Sequence, residues 1–171
     1  MADEPEIPAT DDDLYPAAPV VNDPLESLLG FRLGDEWYAV PLTHVREVLR
    51  VTTITPLPAV PPPILGVVNV RGTIMSVTDP KSLLALPSTA LTPASRFIVL
   101  ATASAETVLL VDEVETVFAM PQSRLEPVLA TLDAKRGAWV TSTCRWRDRL
   151  VAVLRGDRLL ASREDAAVSD R

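Results

Sequence analysis

His44 and Cys144 are the only histidine and the only cysteine in the chain, and that narrows its chemistry at once. A Ser-His-Asp triad would have to use His44. That residue sits in LTHVREVL, one position off the apolar series Leu42, Val45, Val48 and Leu49, and reads better as a surface or boundary histidine. No group of His and Cys has metal-ligand spacing. The six glycines form no phosphate-cradling GxxxxGK[ST] loop. Asp112, Glu113 and Glu115 bring three carboxylates together, a residue type that general acid-base work could use. Beside a strand they read as its solvated edge. Arg145, Arg147 and Arg149 recur at period two, with Lys135, Arg136, Arg155 and Arg158 nearby. A nucleic-acid face would use such a stripe. Arg147-Asp148 reads as a hairpin turn that breaks it, and only Trp146 interleaves, so a solvated hairpin face is expected. The reading is of a protein that is not an enzyme and needs no metal or cofactor.

The most informative stretch is LGVVNVRGTIMSVTD (Leu65 to Asp79), with Arg71 inside it. Two short β-branched runs flank Arg71-Gly72, and glycine tolerates the backbone that a tight reversal needs. The segment predicts a β-hairpin with Arg71 at its turn. Thr73, Met75, Val77 and Asp79 share one face, and Ile74, Ser76 and Thr78 the other. Neither face is purely polar, so both are expected to be partly covered. An arginine in this place needs a carboxylate or water for its fork of donors.

The surrounding elements follow from local patterns. Gly34-Asp35 between LLGFRL and WYAV signals a first hairpin. The spacing of Leu42, Val45, Val48 and Leu49 predicts a short helix ending near Arg50, with Pro41 in its first turn. Five prolines between Thr55 and Pro63 exclude helix and central strand, and predict a stiff connector rather than a proline-rich ligand. One helical turn is expected over Lys81 to Leu86, and strands over Arg96–Ala101, Thr107–Asp112 and Val114–Phe118. Gln122 to Gly137 reads as loop with at most a short helix. Trp139–Cys144 and Arg149–Leu154 read as a hairpin turning at Arg147-Asp148. Asp157 is the expected N-cap of a short last helix. Many short strands punctuated by Gly and Pro make this an all-β barrel architecture.

The chain has 171 residues, 47% of them hydrophobic, enough for one domain or two small lobes. No run of about 18 apolar residues marks a membrane span, and the N-terminus lacks the basic start and apolar core of a secretory signal. With one cysteine there is no internal disulfide, and a cytoplasmic protein is the default. Net charge is −7, yet residues 1–26 hold eight acids, five prolines and no Lys or Arg. The rest carries 15 acids against 16 bases, which suits protein contacts better than nucleic acid. Residues 1–26 are therefore expected to be a disordered acidic tail, residues 27–162 the folded domain, and residues 163–171 a frayed end.

GVVNVRG followed by a strand and Asp79 resembles the G-V-x-N-[LV]-R-G signature of CheW-like domains, the coupling proteins of bacterial chemosensory arrays. The resemblance runs from Leu28 to Ser162. FRLGDEWYAVPLTHVREVLR looks like the family's opening hairpin and short helix, Pro56 and Pro58 like its proline-marked loop, and FIVLATASAETVLLVDEVETVFAM like its strand, strand and V-D-x-V element. It implies an all-β fold of two small five-stranded barrel lobes packed together, with a few short helices and the C-terminal strands returning to the first lobe. It also implies a non-enzymatic coupling protein linking the cytoplasmic tip of methyl-accepting chemoreceptors to the regulatory domain of a CheA-type histidine kinase. Such a protein works in the cytoplasm at membrane-associated arrays, without entering the membrane or binding nucleic acid.

The same resemblance places a receptor-binding groove between the lobes. VREV fills its glutamate position with Glu47, on the expected helix, and NVRG fills its arginine position with Arg71; the two are expected close together. The pair has an alternative reading as a purely structural tie. Val45, Gly66, Asn69 and Val114 match groove-lining positions. Gly66 is either a site of close backbone approach or an ordinary glycine at the start of a strand. Asn69 is expected to bond neighbouring backbone, and Val45 and Val114 could equally be core. No residues are assigned to the kinase contact. The chain departs from the family at Ser76, usually proline, at Pro80, usually leucine, and at Arg155-Gly156, usually Leu-Asp. Other readings are an adaptor of a non-flagellar system (pili or gliding), a small β-barrel enzyme with an unrecognised site, and a nucleic-acid-binding barrel using the Arg145 region.

Overall fold

The structure, a computed structural model, describes residues 22–128 and 134–161. The expectations for the tail up to residue 21 and for residues 163–171 fall outside them. In chain order the elements are β1 (Leu25–Leu33), β2 (Glu36–Pro41), a 3-10 turn (Leu42–His44), β3 (Val45–Arg50), β4 (Ile64–Val70), β5 (Thr73–Thr78) and α1 (Pro80–Leu83). Then come β6 (Arg96–Ala101), β7 (Glu106–Val111), β8 (Glu113–Pro121), a 3-10 turn (Gln122–Arg124), β9 (Glu126–Pro127), α2 (Ala134–Gly137), β10 (Val140–Trp146) and β11 (Arg149–Leu154). A last helix, α3, covers 156–161.

Two sheets form. The first lobe runs β8-β1-β2-β11-β10-β9 and the second β3-β6-β7-β5-β4. The mainly-β fold with two sheets agrees with expectation. The first lobe has six strands rather than five, because two-residue β9 pairs with β10. The C-terminal strands return to the first lobe: β11 lies parallel to β2, Val151 opposite Trp37.

Strand alternation explains how the lobes join. In β6, Phe97 and Val99 face the core of the second lobe, while Ile98 and Leu100 face a shared core between the sheets. β7 does the same with Val108 and Leu110 against Leu109 and Val111. In β2, Tyr38 and Val40 join the shared core, and Ala39 turns into the first lobe with Phe118, Cys144 and Val153. Period-2 strands with both faces apolar are therefore buried on both sides. The two lobes are halves of one hydrophobic body.

Three expectations are corrected here. The helix over Leu42 to Arg50 is a single 3-10 turn followed by β3. β-branched Val45 and Val48 suit a strand, and β3 pairs with β6, Glu47 opposite Val99 and Leu49 opposite Phe97. Its burial alternates, so Val45, Glu47 and Leu49 turn inward and Val48, counted as part of a helical stripe, is 38% exposed. Leu25 and Glu26, assigned above to the tail, are the first residues of β1 and pair with Pro121 and Met120. An apolar first lobe extends its sheet past the acidic composition boundary. Asp157 is inside α3 rather than its cap, since 156 is already helical and the Arg155 carbonyl accepts from Leu159 N–H.

Candidate functional site

The β4–β5 hairpin forms as its sequence demands. Val70 pairs with Thr73, leaving the two-residue turn Arg71-Gly72 with φ of +51° and +88°. Two positive φ values define the turn whose twist matches antiparallel strands. Asn69 secures it: its side-chain oxygen accepts from Gly72 N–H at 2.8 Å. The arginine is thereby presented at the hairpin tip.

β3 and β4 are the two edges of the second sheet, and Arg71 reaches across to Glu47. Its Nε lies 3.0 Å from Glu47 Oε2 and 3.3 Å from Oε1, and its Nη2 lies 3.0 Å from Oε2. Contact between the two edges means the sheet curls on itself. Glu47 is set by strand geometry to point inward and keeps 19% of its side chain exposed, whereas Arg71 keeps 74%. Arg46 adds a weaker contact to Glu47 at 3.8 Å and pairs with Glu106. So exposed an arginine contributes about 0–1 kcal/mol to folding through its pair. The guanidinium edge stays open to a partner.

Gly66 works on the same seam. Its φ is +148°, and a Cβ there would run into the Thr55 carbonyl. Thr55 and Val67 exchange backbone hydrogen bonds of 2.8 and 2.9 Å, so the proline-rich connector lies directly on β4. Close backbone approach is the reading that holds. Gly66→Ala is expected to destabilise the fold by about 1–3 kcal/mol, from forbidden φ and lost contact. Chemical denaturation of both proteins measures it, and equal midpoints would contradict this role. Val45 and Val114 pack against the core between the sheets. Thus Glu47, Asn69 and Arg71 form one cluster, Gly66 closes the seam beside it, and the two valines belong to the inter-sheet core.

The departures from the expected pattern are accommodated locally. Pro80 is the first residue of α1, where its missing N–H is harmless, and Asp79 caps that helix by accepting from Lys81 N–H at 3.0 Å. Burial raises the Asp79 carboxyl above its ordinary value, against the opposing effect of that bond. Gly156 gives room to His44, whose Nδ1 would meet any Cβ at that position. His44 is partly buried, and its Nδ1 has no hydrogen-bond partner among the described residues. Ser76 Oγ is likewise buried without one.

Asp112 corrects another expectation. It is not part of a solvated edge but is buried, accepting from Lys81 Nζ at 2.8 Å, Thr89 Oγ1 at 2.6 Å and Gly34 N–H at 2.6 Å. Burial pushes its carboxyl upward, but these bonds and the Lys81 charge outweigh burial and hold it below the usual carboxylate range. Glu113 and Glu115 do lie at the surface side, paired with Arg32 and with Arg147 and Arg149. The turn at Arg147-Asp148, both at positive φ, breaks the arginine stripe as expected. Among the described residues no group of three or more His, Cys, Asp or Glu side chains is placed to hold a metal. No described helix is long and apolar enough to cross a membrane.

Comparison with known proteins agrees with this fold. The CheW-like domain family matches residues 27–164. Chemotaxis protein CheW of Bacillus subtilis is 26% identical over 135 residues, covering 79% of this chain and 86% of that protein. Protein FrzA of Myxococcus xanthus is 37% identical over 81 residues, 47% of this chain and 51% of its own. The crystal structure of the scaffolding protein TtCheW from Thermoanaerobacter tengcongensis superposes with a TM-score of 0.68 at 26% identity, covering 76% of this chain and 88% of that one.

Proposed function

The chain belongs to the CheW-like family, and from that premise we propose that it is a chemotaxis coupling protein joining chemoreceptors to a CheA-type histidine kinase. It performs no reaction. Its work is positional: one face holds the cytoplasmic tip of a methyl-accepting receptor and another holds the regulatory domain of the kinase, so that receptor conformation biases kinase output. It acts in the cytoplasm, at the membrane-associated receptor array.

The Glu47–Arg71 pair carries the receptor half of this reading. A fixed turn presents a mostly exposed guanidinium whose fork is only partly used, a donor set suited to a carboxylate or carbonyl on a partner helix. Asn69 and Gly66 flank it in the proposed receptor groove, while Val45 and Val114, groove positions by family resemblance, pack on the inter-sheet core instead. The kinase half rests on a separate, apolar surface of the first lobe, which exposes Leu25 and Val117.

Titrating the full chain with a receptor cytoplasmic fragment and, separately, with a kinase regulatory fragment tests the proposal. Both should bind, and a ternary complex should form, since the two faces do not overlap. Mutual exclusion of the two partners would sink it. Kinase binding is expected to change little between low and physiological salt, within the roughly 0–1 kcal/mol of exposed ion pairs. A steep loss of affinity with salt would place charge rather than apolar area at that contact.

A further inference from the structure

The two lobes carry the same strand plan. The second sheet runs β3-β6-β7-β5-β4, and the first runs β8-β1-β2-β11-β10 with two-residue β9 added at its edge. Each pairing in one lobe has a counterpart in the other. β3–β6 and β8–β1, β6–β7 and β1–β2, and β4–β5 and β10–β11 are antiparallel. β5–β7 and β11–β2 are parallel. By this match the β10–β11 hairpin stands in the first lobe where the β4–β5 hairpin stands in the second.

The likeness extends to the hairpin tips. Trp146 pairs with Arg149, leaving Arg147-Asp148 as a two-residue turn with φ of +47° and +61°, beside +51° and +88° at Arg71-Gly72. In both turns the first residue is an arginine at positive φ, where glycine, asparagine or aspartate fits the backbone better. Both arginines reach a glutamate on the matching edge strand, Arg71 to Glu47 on β3 and Arg147 to Glu115 on β8. The glutamates keep 19% and 21% of their side chains exposed, the arginines 74% and 67%. Each glutamate also has a second arginine, Arg46 at 3.8 Å and Arg149 at 2.9 Å. Since Arg149 takes the Glu115 carboxylate, Arg147 stays 3.8 Å from it and makes no hydrogen bond to a described residue. Asp148, next in the turn, forms no ion pair with it. The Arg147 guanidinium lies 4.5 Å from the centroid of the Trp146 ring, and that ring is itself stacked on Phe118. The indole holds the guanidinium by its face, which leaves the edge donors to solvent.

We propose that Arg147, seated on Trp146, is a second docking tip on the first lobe, taking a carboxylate of a receptor helix as Arg71 does on the second, so that one chain holds two receptor tips. The inference rests on the receptor reading of Arg71. Its ligand chemistry follows from the parts: an open guanidinium edge on a fixed turn pairs with a planar anion in two parallel hydrogen bonds. Holding two tips on one rigid body makes the second contact intramolecular once neighbouring receptors are gathered.

Calorimetric titration of the full chain at low salt tests it, with a receptor cytoplasmic fragment as ligand and the kinase regulatory fragment as control. The wild type should take up about two equivalents of receptor fragment and Arg147→Asn about one, the lost site being weaker by roughly 10-fold or more. Asparagine tolerates positive φ, so the melting curve should not move. Arg147→Lys, which keeps the charge without the fork, should fall between the two. Arg71→Ala should also leave one equivalent, and Arg71→Ala/Arg147→Asn none. Kinase binding should be the same throughout. A single equivalent in the wild type, or two in Arg147→Asn, overturns the inference. So does a loss of kinase binding in Arg147→Asn, which would give the tip to the kinase. If Arg71→Ala leaves receptor uptake untouched, the receptor reading fails and this inference with it. If only Arg147→Asn does, that reading stands and this inference alone falls.

Discussion

Lys81→Met is expected to destabilise the protein by about 3–5 kcal/mol, the cost of leaving a buried charge without its partner. The side chains of Lys81 and Asp112 are 4% and 12% exposed, with 2.8 Å between Nζ and Oδ1. Lys81 sits on α1 after the second-lobe hairpin, Asp112 at the junction of β7 and β8, and Gly34, whose N–H bonds the other carboxylate oxygen, in the first-lobe turn. Thr89 bonds both charged groups. The network therefore fastens the lobes to each other as well as satisfying itself. Lys81→Met/Asp112→Leu should recover part of the loss, since no buried charge is left unpaired, although the Gly34 N–H and the Thr89 hydroxyl lose their acceptor.

The pH dependence distinguishes this from mere loss of packing. In the wild type the folded Asp112 carboxyl titrates below its ordinary value, so its contribution is present above the unfolded carboxylate pKa and is lost as pH falls through the folded one. In Lys81→Met the Lys81 bond and charge are gone while burial remains, so the carboxyl moves up from its wild-type position. The deficit of the variant should therefore shrink on acidification. Denaturant titrations of both proteins across the acid range measure this, and a deficit constant with pH would refute the charge account.

What the sequence revealed depended on how local the determining physics was. The Arg71-Gly72 and Arg147-Asp148 turns were readable because a two-residue reversal needs specific backbone angles, and the residues flanking them alternate at strand period. The proline connector was readable for the same reason. β3 was misread because Leu42, Val45, Val48 and Leu49 satisfy helical spacing while VREVLR also satisfies strand spacing; pairing with β6 decides between them, and pairing is not local. Lys81 and Asp112 are 31 residues apart, and nothing in VDEV distinguishes a buried aspartate from the surface glutamates after it. The close fit of Gly156 on His44 is longer-range still. The parallel return of β11 to β2 came from family resemblance alone. Of the candidate site, the Glu47–Arg71 contact was anticipated although the element carrying Glu47 was not, because an inward position on β3 serves the pair as a helix would have.

Arg71→Ala should weaken receptor-fragment binding by about 1.5–3 kcal/mol, or roughly 10- to 150-fold, if a partner desolvates the guanidinium. Kinase binding should stay nearly unchanged. The selectivity follows from placement. The side chain stands on a turn whose backbone is held by Asn69 and Gly72, so its removal disturbs neither strand. With 74% of it exposed in the free protein, the melting temperature should barely move. Glu47→Ala should give a smaller receptor defect, because Arg71 keeps its own donors for the partner and loses only its orientation. The double variant should be less than additive, since either change already breaks the shared pair. In Glu47→Ala, Arg46 retains Glu106, so the effect stays local to the hairpin tip. Affinities of all three variants for both partners, with a melting curve for each, decide the matter. A fall in melting temperature with equal loss of both partners would make Arg71 a structural tie across the β3–β4 seam and remove it from the receptor site.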